Sequence, residues 1–281
     1  MQSLPLEVTG ARKRFGTTDA LAGASFSVHR GELLGLLGPN GAGKTTMIRA
    51  IAGRVALDAG TISVFGRTLG QRDARPDIGV VPQELAVYPL LTARENLEVF
   101  GALYGVAGST LRQRVDWALE WSDLKDRAKE PVKRFSGGMK RRLNIAIGLL
   151  HSPQIVLLDE PTVGVDPQSR ERIYEMLASL QKSGVAVVLT THHLEEAEKR
   201  CERIVIIDHG VIVASGTLNE LLAASRQDLG AVRLVVTTPA GDVERHLSAL
   251  ASAGVPRESM EIQRGSLQDV FIGLTGRDLR E

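Results

Sequence analysis

One cysteine, Cys201, in a chain of 281 residues excludes an intrachain disulfide and suits a reducing compartment. Net charge is almost absent: 34 basic residues against 33 acidic ones leave +1, where a general nucleic-acid binder is usually strongly basic. Long apolar runs are missing as well. The nearest approach to the roughly 18 uninterrupted apolar residues of a membrane-spanning helix is 143–150, and Asn144 breaks it. Lys140-Arg141-Arg142 stand directly before that run. Work at a membrane would need another chain to do the spanning. The opening residues, Met1-Gln2-Ser3-Leu4-Pro5-Leu6-Glu7, carry neither the charged nor the apolar block of a secretory signal. Repeats and low-complexity segments are not found, and 43% hydrophobic with 24% charged residues is a globular balance that gives no ground for disorder. The length suffices for one large domain with a small appendage.

What the chain does have is Gly38-Pro39-Asn40-Gly41-Ala42-Gly43-Lys44-Thr45-Thr46, directly behind the apolar run 33–37. The pattern G-x-x-x-x-G-K-[ST] is a phosphate loop: a strand ends, glycines turn the chain, and a helix begins near Gly43. Glycines let the backbone wrap closely around a polyphosphate and aim successive N–H groups at its oxygens. The helix start adds its positive dipole end. Lys44 then reaches the β- and γ-phosphates, and the Thr45 hydroxyl holds Mg²⁺. An ordinary glycine-rich turn needs neither the lysine nor the hydroxyl. Asn40, Gly41, Ala42, Gly43, Lys44, Thr45 and Thr46 are the candidate contacts of a nucleoside triphosphate.

Two further motifs carry chemistry. Ile155-Val156-Leu157-Leu158-Asp159-Glu160-Pro161 is an apolar strand that delivers two carboxylates at its C-terminal end. Buried carboxylates are costly unless a metal or hydrogen bonds compensate them, so the pair points to Mg²⁺ chemistry. Asp159 would take the metal through a water, and Glu160 would polarise the attacking water. Ser136-Gly137-Gly138-Met139-Lys140 opens a second helix with exposed N–H groups and a hydroxyl, again suited to an anion.

Between the motifs, strands are expected at 6–9, 24–28, 32–37, 60–66, 77–81, 155–158, 185–189, 204–207 and 211–214. From 84 to about 150 the character is helical, with a capping box at Thr92-Ala93-Arg94-Glu95. Another box, Thr217-Leu218-Asn219-Glu220, opens a later helix. Apolar strands alternating with helices predict a buried parallel sheet. Residues 231–281 read as a small α+β unit of βαβα order: strands at 232–236 and 260–262, helices near 242–253 and 266–274.

The order of these motifs, with Gln83 before Phe135-Ser136-Gly137-Gly138 and with Asp166 and His192 after Asp159-Glu160, resembles the nucleotide-binding domain of ATP-binding-cassette (ABC) transporters over residues 4 to about 225. The resemblance implies an α/β phosphate-loop NTPase core (4–230) with an antiparallel β-subdomain and an α-helical subdomain at about 84–150. It implies that Phe15, two residues after Lys13 and before Gly16, stacks on adenine rather than lying in the core. Gln83 would contact Mg²⁺ and water and link the site to a membrane partner. Metal contacts would then be Thr45, Gln83 and Asp159, and the catalytic groups Lys44, Glu160 and His192. Asp166 would meet the opposite subunit. His192 would sense the γ-phosphate; adjacent His193 is not strictly separable from it, though Thr190-Thr191-His192 favours His192. Strand alternation would send the two rings to opposite faces and leave His193 an ordinary surface histidine. Arg141 and Arg142 read as a solvated helix face.

The same resemblance implies two cassettes stacked head to tail, each nucleotide held between one phosphate loop and the other chain's Ser136, Gly137 and Gly138, with C₂ symmetry if the chains are alike. Residues 84–91 would receive a short helix from a separate membrane permease. Glu195-Glu196-Ala197-Glu198 and Ser266-Leu267-Gln268-Asp269-Val270-Phe271-Ile272-Gly273-Leu274-Thr275-Gly276-Arg277 resemble the daunorubicin-resistance type, which implies export of a drug, antibiotic or lipid-like compound from the cytoplasmic face. The C-terminal unit is too short for the regulatory barrel of sugar importers. An alternative, a soluble cassette ATPase acting on ribosomes or DNA, would usually carry two cassettes or a long coiled-coil insertion, and neither is present. A phosphate-loop GTPase would want an Asn-Lys-x-Asp motif, which is also missing.

Overall fold

The structure, a computed structural model, describes residues 3–69, 77–228 and 243–252. In chain order the elements are β1 (Leu6–Phe15), β2 (Thr18–Val28), β3 (Leu33–Leu37), α1 (Lys44–Ile51), β4 (Ala59–Val64), β5 (Arg67–Thr68) and β6 (Ile78–Val81). Three helices follow: α2 (Ala93–Leu103), α3 (Gly108–Trp121) and α4 (Gly137–Ile147). Then come β7 (Ile155–Asp159), α5 (Pro167–Lys182), β8 (Ala186–Thr191), α6 (Leu194–Arg200), β9 (Arg203–Asp208), β10 (Val211–Gly216), α7 (Leu218–Asp228) and α8 (Val243–Ser252).

Two kinds of strand make two sheets. β1 and β2 mix buried with exposed residues, as strands with one wet face do, and they join β4 and β5 in an antiparallel sheet of order β2-β1-β4-β5. β3, β7 and β8 are buried along their whole length, since helices or the other sheet cover both faces. They form the centre of the second sheet, order β10-β9-β3-β8-β7-β6, parallel apart from the β9–β10 hairpin. One apolar core fills the space between α1, the antiparallel sheet and the parallel sheet. A second packs α5 on the other face, and a third holds α2, α3 and α4 together as the helical layer.

The first two strands run longer than expected. Gly10 reads as a strand end, yet β1 passes through it, because register shifts between Val8 and Ala11 absorb the irregularity without ending the pairing. Both capping boxes form: Thr92 N donates to Glu95 Oε2 (2.7 Å) while Glu95 N donates to Thr92 Oγ1 (3.2 Å), and Thr217 and Glu220 repeat the pair. Beyond residue 230, α8 matches the expected helix near 242–253; the expected strands at 232–236 and 260–262 and the helix at 266–274 lie outside the described residues.

Candidate active site

In an open parallel sheet, ligands bind beyond the carboxyl ends of the strands. Four neighbouring strands end here in the residues singled out by sequence: β3 in the phosphate loop, β8 in His192, β7 in Asp159 and Glu160, β6 in Pro82-Gln83. Gly43 caps α1 with φ 109°, and a Cβ there would lie 2.4 Å from the Ala20 carbonyl of β2. Only glycine accepts both that torsion and that approach. The Gly210 N–H donates to Ala42 O at 2.9 Å, so the β9–β10 turn supports the loop from behind.

Lys44 is buried, and its ammonium donates to the loop's own carbonyls, Gly38 O at 2.7 Å and Pro39 O at 3.0 Å. Burial pulls its pKa below the usual lysine range, opposed by the carboxylates of Glu160 and Asp159. Nζ stands 3.8 Å from Glu160 Oε1. A buried cation satisfied by carbonyls of a turn can exchange them for phosphate oxygens.

Asp159 and Glu160 are both buried, 6% and 8% exposed, which isolated carboxylates would not tolerate. Thr190 provides much of the compensation. Its hydroxyl donates to Asp159 Oδ1 (2.7 Å) and accepts from the Glu160 N–H (3.0 Å). Glu160 has φ 47°, a left-handed torsion that costs a non-glycine residue about 1 kcal/mol or more. That torsion breaks the alternation of β7, so two successive carboxyl groups serve one site. His192 Nδ1–H donates to Glu160 Oε1 at 3.0 Å, and Gln83 Nε2 donates to Glu160 Oε2 at 3.3 Å. Thr45 Oγ1 lies 3.3 Å from Asp159 Oδ1. This hydroxyl and carboxylate are hard oxygen donors, few in number, which suits Mg²⁺ arriving with a substrate's phosphates.

Other candidates are placed as follows. Phe15 is 50% exposed, so it is no core residue, and Lys13 Nζ lies 5.4 Å from its ring centre. Asn40 and Gly41 are exposed, Ala42 is buried, and Thr46 is half-buried on the first turn of α1. The exposed Ser136 caps α4, accepting from the Met139 N–H at 3.2 Å. Asp166 is exposed and caps α5, accepting from the Ser169 N–H at 2.9 Å, which holds its carboxyl below the usual range. Gly138 packs against Ser169 of that helix, and Gly137 lies near Gly164, so the Ser136 turn abuts the Asp166 segment.

Two expectations are corrected. Arg141 and Arg142 are not a solvated face. Arg141 is 6% exposed and its guanidinium donates to Pro82 O (3.2 Å) and Gln83 O (2.8 Å); Asn144 joins it through Pro82 O (3.3 Å) and the Ala86 N–H (3.1 Å). Arg142 reaches the end of α3 at Ser122 O and Asp123. Three consecutive helical positions fan through about 200°, so Lys140, Arg141 and Arg142 cannot share one face, and that spacing is the signal that could have found them. Nor do His192 and His193 point apart: their rings pack with centroids 4.1 Å apart, because β8 ends at Thr191 and alternation ends with it. His193 is nonetheless exposed, as a surface histidine is. Thr190, which bonds both Asp159 and the Glu160 N–H, also went unrecognised; a hydroxyl ending an apolar strand was the available hint.

A phosphate loop beside a buried carboxylate pair and a histidine, all on one carboxyl edge of a mostly parallel sheet, defines a phosphate-loop nucleoside triphosphatase. The profile of the ABC transporter family matches residues 21–163. The linearmycin resistance ATP-binding protein LnrL of Bacillus subtilis (strain 168) is 38% identical over 98% of this chain and 100% of its own. The daunorubicin resistance ATP-binding protein DrrA3 of Streptomyces coeruleorubidus is 38% identical over 100% of this chain and 98% of its own. Among solved structures, the dimeric post-hydrolysis state of the cassette MJ0796 with ADP and Pi superposes with TM-score 0.67 at 28% identity, covering 76% of this chain and 98% of that one. The chain belongs to the ABC transporter family and is an ATP-binding, ATP-hydrolysing subunit of the daunorubicin-resistance type. Both relatives are named for resistance to a compound and neither name points to ribosomes or DNA, so the alternative reading gains no support.

Proposed function

We propose that this chain binds Mg²⁺–ATP at the edge described above and powers a separate membrane permease that exports a drug, an antibiotic or a lipid-like compound. The relatives' names, linearmycin and daunorubicin resistance, support that substrate class. Two copies of the chain stack head to tail, the Ser136–Gly137–Gly138 turn and Asp166 of one facing the nucleotide of the other, and the pair sits on the cytoplasmic face of the membrane through the permease. Among the described residues no helix is long and apolar enough to cross a membrane. Residues 4–230 act as the nucleotide-binding domain, and 231–281 as a small appended unit.

The observation that carries the chemistry is the His192–Glu160 hydrogen bond of 3.0 Å, with Lys44 3.8 Å from the same carboxylate oxygen. Phe15 offers its exposed ring to adenine. Lys44 leaves its own loop carbonyls for phosphate oxygens, and the N–H groups from Asn40 through Thr46 surround them. Thr45 and Asp159, with Gln83 beside them, would hold Mg²⁺, and the ion would supply charge neutralisation for the triphosphate. Glu160 accepts a proton from the attacking water as the new O–P bond forms; the bond from γ-phosphorus to the β–γ bridging oxygen breaks, leaving ADP and phosphate. His192 fixes the Glu160 carboxylate and stands beside the γ-phosphate. ATP favours the closed dimer because it contacts both chains, and hydrolysis removes that preference.

Glu160→Gln tests the reading. ATP affinity is expected to stay near wild type, steady-state hydrolysis to fall about 100-fold or more, and a dimer to persist with ATP on size-exclusion chromatography. Full turnover in this variant would overturn the role of Glu160.

A further inference from the structure

Glu196 is an acid on the short helix α6 that the mechanism above does not use. It is 7% exposed, and both acceptor bonds to its Oε2 come from hydroxyls: Thr162 at 2.9 Å and Thr191 at 3.1 Å. On the other side Arg170 of α5 stands 3.4 Å from Oε1 and donates to Val165 O at 3.4 Å. The Tyr174 hydroxyl lies beside the same carboxylate; its burial first, and then the Glu196 charge, push its ionisation up. Burial and the same charge raise the Cys201 thiol to about 12. A buried carboxylate is expensive, and a packed apolar side chain would hold α6 at less cost. The two threonines point to what the carboxylate does.

Thr162 lies two residues after Glu160, at the start of the segment that ends in Asp166. Thr191 immediately precedes His192. A threonine hydroxyl has one proton; because Thr191 gives it to Glu196, its lone pairs face the His193 N–H, which donates to it at 2.9 Å. Glu196 thereby sets the turn that carries His192, while Thr162 ties the same oxygen to the turn that follows Glu160. Arg170 extends the link to Val165, next to Asp166.

We propose that Glu196 is a positioning residue for ATP hydrolysis, which clamps the turn after Glu160 to the turn before His192 and so holds the Glu160–His192 hydrogen bond in register with the Asp166 segment. The inference rests on the assignment of Glu160 and His192 given above. It requires no contact between Glu196 and nucleotide.

The test uses the full chain, with Glu196→Ala, Glu196→Gln, Thr191→Val and Thr191→Ser measured for kcat, KM for ATP, affinity for trinitrophenyl-ATP and Tm. Glu196→Ala and Thr191→Val are expected to lower kcat about 10- to 100-fold, the scale of a misplaced catalytic group, with nucleotide affinity changed less than about twofold. Thr191→Ser restores the hydroxyl and most of kcat. In a Glu160→Gln background the Glu196→Ala loss disappears, because the bond it protects is already compromised. If Glu196→Ala does not fold, the isosteric Thr191→Val decides. A kcat in Thr191→Val equal to wild type, or affinity and kcat falling in parallel, overturns the inference. So does a full additional loss in the Glu160→Gln background. Full turnover of Glu160→Gln alone instead removes the assignment of Glu160, so the two failures are distinguishable.

Discussion

A lysine buried to 5% exposure, with Glu160 3.8 Å away and two backbone carbonyls as its hydrogen-bond acceptors, is a cation waiting for a better anion. Replacing it with alanine leaves Gly38 and Pro39 oxygens to the solvent and takes a charge-assisted bond from the phosphates. Lys44→Ala should therefore weaken nucleotide binding itself, by roughly tenfold or more if the lost bonds contribute about 1.5–3 kcal/mol. Titration with trinitrophenyl-ATP measures it, and unchanged affinity would remove Lys44 from the phosphate site. Single-residue roles differ in how legible they are in sequence. Lys44, Thr45 and Glu160 stand in motifs whose chemistry is local. Thr190 does not: its hydroxyl matters because β7 and β8 pair Asp159 with Thr190, a register that no local pattern contains.

At the scale of elements, α4 is the joint of the molecule. Its N-terminus presents the Ser136 turn, its first turn touches α5 at Ser169, and Arg141 and Asn144 bind the backbone that carries Gln83. A Cβ on Gly138 would lie 2.1 Å from Ser169 Oγ, well inside contact distance. Gly138→Ala should push α4 away from α5, cost about 1–3 kcal/mol by thermal unfolding, and lower ATPase activity while nucleotide binding persists. Wild-type stability and activity together would show that the contact yields without consequence. Helix and strand existence was largely readable because capping boxes and apolar runs act over three to eight neighbours, and Thr92–Glu95 forms as expected. The Arg141–Gln83 bond spans 58 positions, and so a charged helix position looked like solvent-facing surface.

At the scale of the whole molecule, the Ser136 turn lies beside the Asp166 segment, and both Ser136 and Asp166 are exposed. If each nucleotide is completed by a second chain, specific ATPase activity should rise with protein concentration and level off as dimers saturate. A specific activity constant across a wide dilution series, with a monomer by light scattering, would sink the shared-site proposal. By itself the sequence determined the phosphate loop, the carboxylate-bearing strand and the alternation of strands with helices, because each is a pattern among near neighbours. Tertiary structure alone decided that Glu160 turns left-handed to meet His192, that Thr190 serves Asp159 across 31 positions, and that Arg141 and Glu196 are interior groups. The physical reason is that burial and hydrogen-bond partnership belong to segments brought together by the sheet, and the chain's local pattern does not encode which segments will meet.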